Sequence, residues 1–258
     1  MIPQIIHYCW FGGNPLPKLA KKSIKSWKKH AKGYKIIEWN ESNYDLASAP
    51  LYVRQAYEAK KWAFVTDYVR LQVVYEHGGI YMDTDVELKK RLDPLLAHSA
   101  YFGFENGRYI NTGLGFGAKK GAPILKELME DYTDILFRLE DGSFDMKPCP
   151  VRNAEVFLRH GLKQDNSRQV LEGDVLILPT VYLCPYDYHL VPKGDPKEAY
   201  SIHWFSASWF EKDKRMQVEA WRKKERRDRL IHTPNRVLMR LLGQKNYDKL
   251  KRLFGRLR

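Results

Sequence analysis

Residues 78–88 read GGIYMDTDVEL, and the carboxylates of Asp83 and Asp85 bracket a single threonine. Two acids at this spacing, just past a short apolar run, can face one hard cation. Mg²⁺ and Mn²⁺ take oxygen ligands and bind through one or two carboxylates plus substrate phosphates. Buried carboxylates need a counter-charge, which can be an arginine, a proton or a metal. A bare D-x-D also occurs in ordinary surface turns. Here a Gly-Gly stop and an apolar strand over residues 80–82 put the pair at a sheet edge.

Asp67 and Arg70 lie three apart in KWAFVTDYVRLQVVYEHGG and share one helix face. An exposed pair of this kind contributes only ~0.3–0.5 kcal/mol. Their neighbours Phe64, Val65, Val69, Val73 and Val74 imply burial. A half-buried pair can orient a nucleotide sugar, with Asp67 accepting from sugar hydroxyls and Arg70 donating to phosphate. On residue types the two readings are equal. The stretch His7-Tyr8-Cys9-Trp10-Phe11-Gly12-Gly13 ends a strand in aromatics and glycines. Trp10 or Tyr8 can stack on a base there, or can simply belong to the core. His203, in YSIHWFSASW, is either a third metal ligand, a diphosphate donor or a structural histidine. Glu105, Asn106 and Asn111, in YFGFENGRYINTG, are candidates for the catalytic group, with a glycine-rich turn as the alternative.

Elements must carry these residues. The chain has 258 residues, 44% of them hydrophobic, with 7 Trp, 16 Tyr and 11 Phe, enough for a substantial core. A first strand is expected over 2–9 and a surface helix over 18–30. A second strand is expected over 34–39, and one long helix over 52–77, stopped by Gly78-Gly79. Strands follow at 80–82, 101–105, 114–118 and 175–178. Helices are expected over 124–139 and 211–229. Alternation of this kind predicts an α/β fold with a mostly parallel sheet, whose ligands bind beyond the carboxyl ends of the strands.

Cys9, Cys149 and Cys184 lack metal spacing and read as reduced thiols of a cytoplasmic protein. The N-terminal residues lack a secretory pattern, and no apolar run reaches the ~18 residues of a membrane span. The net charge is +13, and residues 222–258 hold fourteen Lys/Arg against three acids. There Leu250, Leu253, Phe254 and Leu257 recur at helical spacing among Lys and Arg. This predicts a basic amphipathic helix, either on an anionic membrane surface, through residues 230–258, or packed on the domain. Nucleic acid is disfavoured, because the body carries no basic stripe.

Four separated segments, IPQIIHYCWFGG, YKIIEWNESNYD, AYEAKKWAFVTDYVRLQVVYEHGGIYMDTDVEL and YSIHWFSASW, resemble glycosyltransferase family 32, whose sugar-binding region contains a D-x-D motif. The resemblance covers residues 1–210 and leaves 211–258 as a basic helical extension. It implies a GT-A (Rossmann-like) domain, dependence on Mn²⁺ or Mg²⁺, a UDP- or GDP-sugar donor and retention at the anomeric carbon. The acceptor it implies is a saccharide or lipid-linked saccharide of bacterial surface polysaccharide. Asp83 then matches an acid contacting ribose and metal, Asp85 the main metal ligand, and Asp67 with Arg70 the donor-sugar pair. Trp10 is similar to a base-side aromatic, and His203 and Trp209 match the segment closing over the diphosphate. The implied donor-binding set is His7, Trp10, Asp67, Arg70, Asp83 and Trp209; the implied metal set is Asp83, Asp85 and His203. Two other classes compete. A metal-dependent phosphohydrolase or nucleotidyltransferase would need a second carboxylate cluster. A non-enzymatic membrane- or nucleic-acid-binding module would use the body as a scaffold.

Overall fold

The computed structural model describes residues 1–206 and, beyond them, Met216, Ala220 and Lys224. Apart from those three residues, the expected helix over 211–229 falls outside the described residues, as do the amphipathic tail and Trp209. The chain divides into two units, Met1–Trp209 and Phe210–Arg258. The elements named below belong to the first.

Strand β1 (Ile5–Cys9) is an apolar run buried on both faces, as expected of a central parallel strand. Helix α1 (Lys18–His30) turns Ala20, Ser23 and Trp27 inward and its lysines outward. It leads to β2 (Lys35–Trp39), which pairs parallel with β1. After α2 (Leu51–Glu58) and α3 (Trp62–His77), strand β3 (Gly79–Tyr81) returns parallel to the other side of β1. This is the Rossmann-like half. Strands β4 (Val86–Leu88), β5 (Ala100–Gly103) and β6 (Gly117–Ala118) follow. Helices α4 (Pro123–Glu130), α5 (Cys149–Arg152) and α6 (Ala154–Arg159) lead to strands β7 (Gln169–Leu171) and β8 (Val175–Leu178). Helix α7 (Thr180–Leu183) and strand β9 (Ser201–His203) end the described fold. The main sheet runs β2-β1-β3-β6-β5-β8-β7; β6 is antiparallel to both its neighbours and β7 to β8. The fold is therefore α/β with a parallel-rich sheet.

Alternate strand residues feed two cores. One packs Tyr81, Phe102 and Phe116 with Tyr52, Val65, Val69 and Phe137. The other packs Ile80, Met82, Tyr101 and Leu176 with Trp27 and Leu95. Among the described residues no helix is long and apolar enough to cross a membrane.

The expected single helix over 52–77 is broken. Lys60 adopts a left-handed φ of 55°, and the Lys61 amide bonds back to the Ala56 carbonyl at 2.9 Å. This is a helix stop built on lysine rather than glycine. The break lets Trp62 meet the edge of Tyr57, with centroids 5.2 Å apart. The helix expected over 124–139 ends at Glu130. Gln55 Oε1 captures the Phe137 and Arg138 amides at 2.9 and 3.1 Å, and Phe137 is drawn into the core. The strand expected over 114–118 pairs only at β6, because Gly115 has a φ of 114°.

Candidate functional site

Asp83 and Asp85 sit in the turn between β3 and β4, closed by the Val86 amide donating to the Asp83 carbonyl at 2.9 Å. Strand β4 leaves the main sheet. The Trp27 indole N–H of α1 holds the Val86 carbonyl at 2.8 Å, and β9 pairs antiparallel with β4. That pairing sets His203 opposite Val86 and brings its Nε2 to 3.3 Å from Asp85 Oδ1. The Ser206 amide donates to Asp85 Oδ2 at 2.6 Å. One ligand atom each from Asp83, Asp85 and His203 lie within 4.8 Å of one another.

Helix α3 supplies the opposite wall. The Arg70 side chain, 4% exposed, donates through Nε to the Thr66 carbonyl at 2.9 Å. Its Nη2 lies 3.0 Å from Asp67 Oδ1 and 3.3 Å from Asp83 Oδ1. The Tyr81 hydroxyl donates to the same Asp83 oxygen at 2.9 Å. Asp83 Oδ2 faces Gly113, where a Cβ would come within 2.2 Å of it. The Asp83 side chain is 28% exposed, so the cluster opens to solvent on this carboxylate's side.

Each carboxylate of the cluster faces a cationic side chain, Asp83 facing Arg70 and Asp85 facing His203. Burial raises the Asp83 pKa, Arg70 opposes the rise and Asp85 adds to it. Burial also works against ionised Asp85, but His203 and the Ser206 amide override it and hold this carboxyl well below the usual range. His203 in turn is lowered by burial and raised further by Asp85, leaving it well above the ordinary histidine value. Asp67 is pushed up to about 6 by burial, against Arg70 and with help from Asp83. A divalent ion held by these residues would remove the penalty of ionising Asp83 and would take the place of the His203 proton. Two carboxylates and one imidazole, with an opening left on one side, could hold one divalent cation together with further ligands.

Not every expected residue joins this cluster. His7 is fully buried in β1. Its Nε2–H donates to the Gly78 carbonyl at 2.9 Å and its Nδ1 accepts from the Trp39 indole at 3.0 Å. Both nitrogens are taken, so no polar atom of His7 is left for a donor. The double glycine serves this junction, because a Cβ at Gly79 would lie 2.7 Å from the Ile5 carbonyl oxygen. Burial lowers the His7 pKa from 6.5 to about 4. The folded protein thus favours neutral His7, and this stability is fully present above pH ~6.5. It is lost as pH falls toward 4, by ~3 kcal/mol in all. Urea melts at pH 7.5 and 4.5 should show that loss in the native chain and a smaller one in His7→Asn; equal losses would contradict it.

Trp10 stands past the end of β1. Its indole donates to the Asn14 carbonyl, and Asn14 lines an open cleft of ≈ 680 Å³ with Gly12, Tyr57 and Trp62. Asn106 is occupied as a turn residue, accepting from the Arg108 and Tyr109 amides at 3.1 Å. Asn111 adjoins the cluster: Oδ1 accepts the Gly113 amide at 2.6 Å and Nδ2 donates to Glu105 Oε2 at 2.6 Å. Sequence reasoning overlooked Tyr81, Ser206 and Gly113. Gly113 had a signal in the NTG triplet; the other two had none beyond proximity to flagged residues.

Residues 17–102 match the family model described as the glycosyltransferase sugar-binding region containing DXD motif. They include Asp67, Arg70, Asp83 and Asp85. This stretch, about a third of the chain, is similar to the DXD glycosyltransferase family. Inositol phosphoceramide mannosyltransferase 3 of Schizosaccharomyces pombe is 28% identical over 140 residues, covering 53% of this chain and 38% of its own. Inositol phosphoceramide mannosyltransferase 1 of the same yeast is 28% identical over 111 residues, covering 39% and 33%. The chain thus spans well under half the length of these relatives. Among solved structures, a glycosyltransferase involved in the glycosylation of the major capsid of PBCV-1 is similar over 85% of this chain and 99% of its own. Its identity is 15% and its TM-score 0.44. In the DXD family's terms, Asp83-Thr84-Asp85 is the motif. His203 lies outside the matched region and reaches it only through β9.

Proposed function

We propose that the protein is a metal-dependent hexosyltransferase. It moves a sugar, with retention, from a UDP- or GDP-sugar to a saccharide or lipid-linked saccharide. The convergence of Asp83, Asp85 and His203 beside the Asp67–Arg70 pair carries this reading. When bound, Mn²⁺ or Mg²⁺ would neutralise charge on the departing nucleoside diphosphate. Tyr81 and Arg70 hold Asp83 from behind, and Ser206 holds Asp85, so both carboxylates are oriented before any ligand arrives. Arg70, anchored by Thr66 and Asp67, adds fixed positive charge to the same wall. Asp67 accepts from the donor's sugar hydroxyls, and Trp10 lies on the base side. The names of the yeast relatives put mannose first among sugars and a lipid-linked acceptor first among acceptors. A role in bacterial surface polysaccharide rests on the sequence resemblance. The cytoplasmic setting, with 230–258 on the inner membrane face, rests on composition.

The test is a panel of UDP- and GDP-sugars with Mn²⁺, Mg²⁺ or EDTA. One donor should be hydrolysed slowly without acceptor, only with metal. A folded protein that neither binds nor turns over any of them sinks the proposal. Among the described residues no second cluster of metal-ligating groups accompanies the first, which disfavours a two-metal phosphohydrolase. Deleting 230–258 should abolish sedimentation with anionic liposomes, and unchanged sedimentation would refute the membrane assignment.

A further inference from the structure

His203 has one nitrogen at the carboxylates. Its other nitrogen, Nδ1, is buried without a hydrogen-bond partner of ordinary geometry. Besides Asp85 and Phe205, the Cys184 side chain, itself fully buried, is within reach of this ring. The chain is built to hold it there. The Tyr200 amide donates to the Tyr182 carbonyl at 2.8 Å, and Ser201 Oγ donates to the Leu183 carbonyl at 3.3 Å. These bonds tie the end of α7 to β9. The Cys184 thiol donates to the Tyr186 carbonyl at 3.4 Å, and Lys193 Nζ donates to the sulfur at 3.4 Å. Lys193 also donates to the Glu105 carbonyl. The thiol proton is thus used, and a sulfur lone pair remains for one more donor.

We propose that Cys184 is the positioning residue of His203, its sulfur accepting the Nδ1–H so that Nε2 presents its lone pair to the cation. A histidine that ligates through one nitrogen carries its proton on the other, and the acceptor of that proton fixes both tautomer and ring orientation. Usually the acceptor is a carboxylate or carbonyl. Here the side chain against the ring offers a sulfur, which also accepts from Lys193. The inference rests on the cluster being a cation site.

The experiment titrates Mn²⁺ alone into the full chain, reading free Mn²⁺ by electron paramagnetic resonance, for native protein, Cys184→Ser and Cys184→Ala. Cys184→Ala should bind about 10–100-fold more weakly. Cys184→Ser, which keeps an acceptor, should stay within about threefold. Long-range ¹⁵N spectra of the Mg²⁺-loaded native protein should show His203 protonated at Nδ1. If native protein binds no Mn²⁺, the cation site itself fails. If native protein binds and Cys184→Ala matches it, only the role of Cys184 fails. Should Cys184→Ala not fold, the native spectrum and Cys184→Ser decide: a proton on Nε2, or a serine variant weakened tenfold or more, overturns the proposal.

Discussion

Asp85→Asn should lower kcat/KM about a thousandfold and weaken Mn²⁺ binding beyond ordinary titration range. Asp85 is the most firmly fixed carboxylate of the cluster. The Ser206 amide holds one oxygen at 2.6 Å and His203 lies 3.3 Å from the other, with the side chain only 9% exposed. A metal-assisted departure draws several kcal/mol from the ion. Losing ~4 kcal/mol of that at about 1.36 kcal/mol per decade gives the thousandfold figure. Asparagine keeps the shape and one acceptor oxygen, so the loss reports charge rather than packing. Glu140→Gln, on an exposed residue, serves as the control for handling. A folded Asp85→Asn protein with native turnover and native Mn²⁺ affinity would show that the D-x-D segment is a structural turn.

Gly113→Ala should cut kcat/KM at least a hundredfold with a much smaller effect on stability. A Cβ there would lie 2.2 Å from Asp83 Oδ2 and 3.0 Å from both Arg70 Nη1 and Asn111 Oδ1. The carboxylate cannot simply rotate away, since Tyr81 and Arg70 grip its other oxygen. The Gly113 carbonyl also accepts the Asp83 amide at 3.2 Å, so the loop and the acid must move together. Overpacking of this sort costs ~1–3 kcal/mol of stability. The displaced carboxylate loses its place in the cluster altogether. In a double-mutant cycle with Asp83→Asn the activity losses should be strongly non-additive, because both changes act on one carboxylate. Additive losses, or native activity in Gly113→Ala, would mean that Asp83 tolerates being moved.

Much of the site was legible beforehand where it was local. Asp67 and Arg70 fall on one face of α3 because the helical period puts residues three apart together. Asp83 and Asp85 follow the Gly-Gly stop and a short buried strand, so their place just past a strand end is readable. Helix α1 and strand β8 occur over the residues that periodicity and turn signals predict. His7 entered the donor-binding set only through the resemblance. Its partners, the Gly78 carbonyl and the Trp39 indole, come from neighbouring elements and cannot be read from spacing. The break at Lys60 was also invisible, since the stop uses a residue that does not favour the left-handed conformation.

The sequence by itself determined the kind of chemistry: acids at helical and turn spacings beside apolar runs, which local backbone geometry alone brings into register. It also determined the charge of the C-terminal segment. Only the tertiary structure decided which distant groups complete the cluster. His203 reaches Asp85 because β9 pairs with β4, and Gly113 faces Asp83 because its loop packs against the end of β3. Cys184 meets His203 because α7 is tied to β9. Those contacts depend on long-range strand pairing and packing, which a linear pattern does not encode.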